Sequence, residues 1–283
     1  MSSFGLPARH AHERPRLAII GGSGMCTFPE LTELYRVRPE TKYGLTSDDI
    51  KICRYGGQIV AFLPRHGENH SIAPHKVPYK ANLAALRDLG VETVVATCIA
   101  GSLKEEIPPG SFVIPDQFVN LTWGRDDYCV ADGGKFIHLP MAEPYCAITR
   151  QVIADAVQAS GIVPVVNATV TVIQGPRFST KAESQMFIRN GWDIVNMTQY
   201  PECYFARELG LCYGVLSAIT DYDVGVASCL SMSPEHMKDV LSIFWDNIAK
   251  TKKILLYLIE QSAVTSIKCV CSREIVRTYY EQE

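Results

Sequence analysis

The sequence has no long apolar segment, no strong excess of either charge and no internal repeat. None of its apolar runs approaches the roughly 18 consecutive residues that a transmembrane helix needs. A formal net charge of -3 gives no basic footprint for nucleic acid, so we expect neither a membrane nor a nucleic acid as partner. The composition, 47% hydrophobic and 20% charged, is sufficient for a sizeable core. At 283 residues, the chain fits one large domain or two small ones.

The start of the chain lacks the apolar stretch of a secretion signal. Met1–Arg16 is polar and carries several basic residues, so we predict a flexible leader there. We expect one domain over residues 17–262 and a separate tail over residues 263–283. Without a signal, the predicted location is the cytoplasm.

Ten cysteines are scattered through the chain. Several, such as Cys53 and Cys212, lie within apolar runs, where cysteine behaves as a small hydrophobic residue. A reduced protein is therefore the better interpretation. Cys269 and Cys271 form the one close pair, in the tail. We interpret them as two unpaired thiols, with a disulfide or a redox pair as the alternative.

Short apolar runs alternate with helix-like segments along the chain. This alternation predicts a single α/β domain in which helices surround a central mixed β-sheet. The predicted strands are Leu17–Ile20, Gln58–Leu63, Thr93–Ile99, Ser111–Ile114, Ala168–Ile173, Ile194–Met197 and Leu211–Ile219. The predicted helices are Val77–Leu89, Ala147–Ala159, Lys181–Asn190, Glu202–Leu209 and a long one from Pro234 to about Ile259.

Two carboxylates, Asp221 and Asp223, follow the last predicted strand. Ligands of open α/β sheets bind at the carboxyl ends of strands. Residues at i and i+2 on extended backbone point the same way, about 7 Å apart, so both acids could face one heterocycle. Equally, they could cap a following turn or helix.

Several other predicted strands also end in polar, loop-forming clusters, which we expect at the same edge of the sheet. Gly21–Gly24 could expose backbone N–H groups to an anion, although a plain tight turn is the alternative. Arg65 offers a planar fork that matches the oxygens of a phosphate, and His66 offers one more hydrogen bond. The nearby His70 and His75 do not complete a metal site, because the intervening sequence opposes a helix that would align them. No metal site is predicted.

These clusters follow one another in a specific order: Gly21–Gly24, Arg65 with His66, Asp116–Phe118, Gln174–Thr180, Asn196–Thr198 and Thr220–Asp223. Their combination resembles the S-methyl-5'-thioadenosine phosphorylases, in the trimeric branch of the purine nucleoside phosphorylase superfamily. The resemblance runs from about Leu17 to about Leu256. It implies a homotrimer, or a dimer of trimers, whose active sites lie at subunit interfaces. It implies no cofactor, with inorganic phosphate as co-substrate.

The resemblance assigns two groups of binding residues. It implies that phosphate is held by Ser23, Arg65, His66, Cys98, the backbone of Ile99, and Thr198. For Cys98, a small core residue is an equal alternative, because animal members have a threonine there. The nucleoside would contact Gln174, Phe178, Ser179, Met197, His138 and Met237. His138 would reach a neighbouring subunit's site, and core packing is the alternative for Phe178.

The same resemblance makes Asp221 and Asp223 the catalytic pair. A protonated Asp221 would donate to N7 as the glycosidic bond breaks, and Asp223 would accept from the 6-amino group. Aspartate at position 221, where 6-oxopurine enzymes have asparagine, favours an aminopurine, and Gln174 could donate to N1 of adenine. The expected reaction is phosphorolysis of S-methyl-5'-thioadenosine to adenine and 5-methylthioribose 1-phosphate. A phosphorylase of 6-oxopurine nucleosides or methylthioinosine is the alternative, and a non-catalytic nucleoside-binding protein is a weaker one.

Overall fold

The computed structural model describes residues 14–128, 138–227, 234–261, 269 and 271, without the side chains of residues 234–237. Its strands are β1 Leu17–Gly21, β2 Thr32–Val37, β3 Glu40–Thr41, β4 Gly44–Leu45, β5 Ile50–Tyr55, β6 Gln58–Pro64, β7 Thr93–Ser102, β8 Phe112–Leu121, β9 Val165–Ile173, β10 Ile194–Asn196 and β11 Cys212–Tyr222. Its α-helices are α1 Tyr79–Asp88, α2 Ala147–Ala159, α3 Lys181–Arg189, α4 Gln199–Glu208 and α5 Pro234–Gln261, and a short 3-10 helix covers Pro74–Lys76.

A nine-stranded mixed sheet runs through the molecule in the order β10-β9-β8-β11-β7-β1-β6-β5-β2. Strands β6, β1, β7 and β11 are mutually parallel, so their carboxyl ends share one edge. Strand β8 is antiparallel to β11 and parallel to β9. The end of β7 also pairs with β10, which closes β7, β11, β8, β9 and β10 into a ring. The predicted α/β fold with a mixed central sheet is confirmed.

Two apolar layers cover the two faces of this sheet. In β1, Ala18 and Ile20 face the layer that includes α1, while Leu17 and Ile19 face the layer that includes α2 and α5. This division follows from the two-residue repeat of a strand, since alternate side chains point to opposite faces. Although α5 has 28 residues, none of the helices in the described ranges is apolar enough to cross a membrane.

Several predicted boundaries differ from the structure. Strand β5 was not predicted because Lys51 interrupts its apolar pattern, yet Lys51 is buried and forms an ion pair with Glu68. Helix α1 begins at Tyr79, two residues later than predicted, because Pro78 precedes it. Helix α4 begins earlier than predicted, at Gln199.

Candidate active site

The carboxyl ends of β1, β6 and β7 bring the glycine loop against Arg65. The Gly22 N–H donates to Thr97 Oγ1 at 3.0 Å, and the Arg65 N–H donates to the Gly21 carbonyl at 2.9 Å. A Cβ on Gly22 would lie 2.4 Å from the Thr97 carbonyl oxygen and 3.0 Å from Arg65 Nη1, so only glycine fits this approach. Ser23 lies next in the loop, half-buried.

The Arg65 guanidinium is buried and is held by Glu202. Its Nε and Nη2 donate to the two Glu202 carboxylate oxygens at 2.6 and 2.8 Å, and Nη1 donates to the Thr97 carbonyl at 2.9 Å. Tyr213 Oη also donates to Glu202, at 2.7 Å. Burial opposes the charge of Arg65, but the Glu202 carboxylate outweighs this effect and raises the guanidinium pKa. From the sequence, the planar edge of the Arg65 guanidinium was expected to bind phosphate. Instead, Nε and Nη2 bind Glu202, and two N–H groups of the guanidinium remain for an anion.

His66 is buried beside Arg65 and is uncharged near neutral pH. Burial, then the charge of Arg65, lowers the His66 pKa to about 4. Its Nδ1 lies 2.7 Å from the Ile72 carbonyl oxygen, which can only accept, so Nδ1 carries the proton. Nε2 is therefore a hydrogen-bond acceptor. The sequence prediction had His66 donating to phosphate, whereas this tautomer can accept from a protonated phosphate oxygen.

Thr198 follows strand β10, which runs in the opposite direction to β7. Strand β10 nevertheless pairs with Gly101 and Ser102, the last residues of β7, so it lies at the carboxyl end of β7. The Asn196 side chain bridges the two segments: its Nδ2 donates to the Ile99 carbonyl at 3.0 Å, and its Oδ1 accepts from the Thr198 N–H at 2.7 Å. Thr198 is buried at the start of α4.

The Cys98 thiol lies in a buried polar network and points away from the glycine loop. It donates to Ser217 Oγ at 3.2 Å and accepts from Gln199 Nε2 at 3.3 Å. Gln199 in turn accepts from Tyr145 Oη at 2.6 Å. Since neighbouring strand residues face opposite sides, the contact of Thr97 with the loop turns Cys98 the other way. This position argues against the predicted phosphate contact of Cys98 and favours the core alternative.

The loops after β9 and β10 meet at Gln174 and Met197. Gly175 has a φ of +61°, and a Cβ there would lie 2.5 Å from Met197 Sδ, so the two loops are in close contact. Arg125, which the sequence analysis missed, joins them: its Nη2 donates to the Gln174 and Met197 carbonyls, each at 2.9 Å. Its Nε donates to Gln174 Oε1 at 3.1 Å. The amide oxygen of Gln174 is therefore the acceptor in this contact, and the side-chain NH₂ group is the part that can donate to a ligand.

Phe178 and Ser179 lie on the loop that leads from β9 into α3. The Phe178 side chain is 74% exposed, so the alternative of core packing is wrong. A capping box fixes the helix start, because Thr180 Oγ1 accepts from the Glu183 N–H and the Glu183 carboxylate accepts from the Thr180 N–H. Ser179 Oγ is buried and has no hydrogen-bond partner of good geometry among the described residues.

Asp223 is the buried member of the acid pair. Burial raises the pKa of its carboxyl, although the nearby Ser184 and Ser179 hydroxyls oppose the rise. Its Oδ2 is buried without a hydrogen-bond partner of good geometry among the residues that the structure describes. An unsatisfied buried carboxylate oxygen is unfavourable, so this atom is available to a ligand.

Asp221 differs from Asp223 in its surroundings. It lies within β11, next to an irregularity in the pairing of β11 with β7, and it is half-buried. Its Oδ1 accepts from Thr220 Oγ1 at 2.6 Å. Asp223 follows the end of β11, and its N–H donates to the Ser102 carbonyl at 2.8 Å. The raised pKa of Asp223 makes this carboxyl a candidate for the protonated acid, a role that was expected for Asp221 from the sequence.

A glycine loop, a buried arginine with a neutral histidine, and a buried carboxyl thus surround one region of the sheet. A family model of the phosphorylase superfamily matches residues 16–260. The chain belongs to the phosphorylase superfamily.

Members of the phosphorylase superfamily resemble this chain over most of its length. The chain is 46% identical over 244 residues to S-methyl-5'-thioadenosine phosphorylase of Mycolicibacterium smegmatis, a match that covers 86% of this chain and 90% of that protein. It is 39% identical over 249 residues to purine nucleoside phosphorylase of Streptomyces coelicolor, a match that covers 86% of this chain and 87% of that protein. A crystal structure of methylthioadenosine phosphorylase from an antarctic soil metagenomic library superposes with a TM-score of 0.84 at 34% identity, covering 92% of this chain and 90% of that one.

Two further predicted residues of this phosphorylase are His138 and Met237. His138 is exposed on the single chain. Met237 lies in the first turn of α5, and its side chain falls outside the described residues.

Proposed function

We propose that this protein catalyses phosphorolysis of S-methyl-5'-thioadenosine, giving adenine and 5-methylthioribose 1-phosphate. The observation that carries this proposal is the Asp223 carboxyl, at the same strand end as Asp221: it is buried with a raised pKa, and its Oδ2 has no hydrogen bond of good geometry among the described residues. The 46% identity to S-methyl-5'-thioadenosine phosphorylase of Mycolicibacterium smegmatis supports the same substrate.

Phosphate binds between the glycine loop and the start of α4. Ser23 and Thr198 supply hydroxyl groups. The Asn196 side chain links the Ile99 backbone to the Thr198 backbone by two hydrogen bonds. Arg65 supplies positive charge and its two remaining N–H groups. His66 Nε2 accepts a hydrogen bond from the protonated oxygen of hydrogen phosphate, which leaves the other phosphate oxygens free to attack the anomeric carbon. Positioning and electrostatic stabilisation carry most of this catalysis.

The purine binds between the acid pair and the loop after β9. Phe178 stacks on the base, Ser179 contacts its edge, and the Gln174 NH₂ donates to N1. One carboxyl of the pair donates a proton to N7 as the bond to the sugar breaks, and the other accepts from the 6-amino group. The sequence analysis gave the donor role to Asp221, but burial keeps Asp223 protonated to higher pH, so we assign the donor role to Asp223.

The sugar and its 5' substituent occupy the remaining space. Met197 lies under the ribose, where a flexible thioether suits an apolar face. Met237 and the partner-directed His138 contact the methylthio group. We propose a homotrimer in which the exposed His138 of one copy completes the site of the next, with a dimer of trimers as a further state. Since the described cysteines are free thiols, we propose the cytoplasm as its location.

Side-by-side turnover tests this proposal. Purified enzyme is assayed with methylthioadenosine, adenosine and inosine, each with and without inorganic phosphate, and the sugar products are identified by mass spectrometry. We expect methylthioadenosine to have the highest kcat/KM and 5-methylthioribose 1-phosphate to form only with phosphate. Inosine as the best substrate would favour the 6-oxopurine alternative. Free methylthioribose at the same rate without phosphate would identify a hydrolase.

A further inference from the structure

Four cysteine sulfurs converge at the opposite end of β11 from the acid pair. Cys146, Cys212, Cys269 and Cys271 place their Sγ atoms within 4.8 Å of one another. A tetrahedral zinc ion with Zn–S bonds of about 2.3 Å separates its sulfurs by roughly 3.8 Å, so this spacing is close to that of a tetrathiolate site. From the sequence, Cys269 and Cys271 were interpreted as two unpaired thiols, with a disulfide or a redox pair as the alternative. The structure adds two further thiols to them.

Three separate parts of the chain supply these ligands. Cys146 immediately precedes α2, and its N–H donates to the Tyr213 carbonyl at 2.9 Å, which holds it against the start of β11. Cys212 is the first residue of β11. Cys269 and Cys271 come from beyond α5. Since Asp221 is nine positions after Cys212 in the strand, the cluster is about 30 Å from the acid pair along β11.

Groups that stabilise negative charge lie next to three of the four sulfurs. Cys146 is at the amino end of α2, where the helix dipole stabilises negative charge. Arg207 Nη1 donates to Cys271 Sγ at 3.5 Å, and the Cys271 N–H donates to Cys269 Sγ at 3.4 Å. Such N–H···S contacts orient metal-bound thiolates, and the arginine offsets part of their charge.

We propose that Cys146, Cys212, Cys269 and Cys271 form a structural zinc site that fastens the end of the chain to the phosphorylase domain. All four positions of a tetrahedral ion are filled by protein, so this site holds the fold and takes no part in the reaction. Binding releases thiol protons to solvent and changes no oxidation state. Oxidation of the same cysteines to disulfides is the competing chemistry, and Cys212 Sγ lies 2.9 Å from Cys269 Sγ.

Metal content and thiol state together test the zinc site. The full chain is produced with zinc present, purified without chelator, and analysed for metal by mass spectrometry. A second sample is denatured in alkylating reagent, and its intact mass is measured. We expect one zinc ion per chain and alkylation of all ten cysteines. A chain without zinc, or one in which two or four of the cluster cysteines resist alkylation until a reductant is added, would overturn the proposal.

Variants locate the ion. The double variant Cys269→Ser/Cys271→Ser should retain less than about a tenth of an equivalent of zinc. Cys53→Ala removes a buried thiol outside the cluster and should keep the full equivalent. If the double variant does not fold, cobalt substitution of the unaltered protein decides: the visible bands of tetrahedral thiolate-bound Co(II) support the site, and their absence contradicts it.

Discussion

Arg65 and Glu202 form a buried ion pair between residues 137 positions apart in the chain. Both Glu202 oxygens accept from the Arg65 guanidinium, at 2.6 and 2.8 Å, and both side chains are almost fully shielded from solvent. The pair joins the end of β6 to α4. It therefore fixes the orientation of the guanidinium before any ligand binds, and it determines which N–H groups remain for an anion.

Removing Glu202 leaves Arg65 buried without a counter-ion. We expect Glu202→Ala to lower the free energy of unfolding by about 3–5 kcal/mol. Glu92→Gln, which disrupts the exposed pair of Arg16 and Glu92, is the control and should change it by less than about 1 kcal/mol. Urea unfolding at one fixed protein concentration measures both. Equal effects of the two variants would contradict the structural role of Glu202.

The His66 tautomer gives a matched pair of variants. The side-chain amide of an asparagine reaches only as far as Nδ1 of the histidine it replaces, whereas the longer glutamine places its amide near Nε2, where its oxygen can accept. If Nε2 serves phosphate, His66→Asn should raise the phosphate KM by about 10- to 100-fold, the effect of a lost hydrogen bond to a charged group. His66→Gln should raise it less. Initial rates at varied phosphate measure the difference, and the reverse order would refute the assigned tautomer.

The lowered pKa of His66 also predicts how stability depends on pH. The pKa of His66 is about 4 in the folded chain and has its ordinary value of 6.5 in the unfolded chain, so between these values the unfolded chain binds a proton that the folded chain does not. The free energy of unfolding should therefore fall as pH decreases from about 6.5 to about 4, by up to roughly 3 kcal/mol from this group. Urea unfolding in phosphate-free buffer should show a shallower fall for His66→Gln. An unchanged slope would contradict the buried neutral state.

Exchanging each acid for asparagine separates the roles of the pair. If Asp223 is the proton donor, Asp223→Asn should lower kcat with methylthioadenosine by about 10²–10⁴-fold, the usual contribution of general acid catalysis. Asp221→Asn should lose activity on aminopurines and gain some on inosine, because asparagine can donate to O6. Relative kcat/KM for methylthioadenosine and inosine measures both effects. Loss of kcat on both substrates in Asp221→Asn alone would return the donor role to Asp221.

The core position of Cys98 predicts a contrast with Thr198. Cys98→Ala should leave the phosphate KM within about twofold and lower stability by roughly 1–3 kcal/mol, because Gln199 and Ser217 lose a buried partner. Thr198→Val replaces the hydroxyl with a methyl group of similar size and should raise the phosphate KM about tenfold. Phosphate titrations and urea unfolding are compared for both variants. A large KM change in Cys98→Ala would restore the original prediction.

The sequence predicted the fold where apolar runs were uninterrupted. Helix α2 has the predicted bounds, and the starts of β1, β6 and β11 lie within one residue of theirs. Strand β5 was not predicted because Lys51 interrupts its apolar pattern, and Glu68, the partner that allows Lys51 to be buried, is distant in sequence. The direction of β10 could not be read either, since it depends on the ring closure through β7 rather than on any local pattern.

The site was predictable as a set of residues but not as a set of contacts. The resemblance predicted that Arg65 and His66 bind an anion. The groups that orient their side chains, Glu202 and the Ile72 carbonyl, come into contact with them only in the folded chain. Arg125 carried no signal in the sequence, because it belongs to none of the predicted strands or motifs, although it joins two loops of the site. The capping box Thr180-x-x-Glu183 was readable and would have marked the start of α3.

A crystal structure with methylthioadenosine and sulfate tests the central claim most directly, because sulfate occupies a phosphate site without reacting. We predict sulfate within hydrogen-bond distance of Arg65, His66 Nε2 and Thr198, and the purine N7 and 6-amino groups within reach of Asp223 and Asp221. A sulfate away from Arg65, or a purine whose N7 faces solvent while both carboxyls stay unliganded, would contradict it.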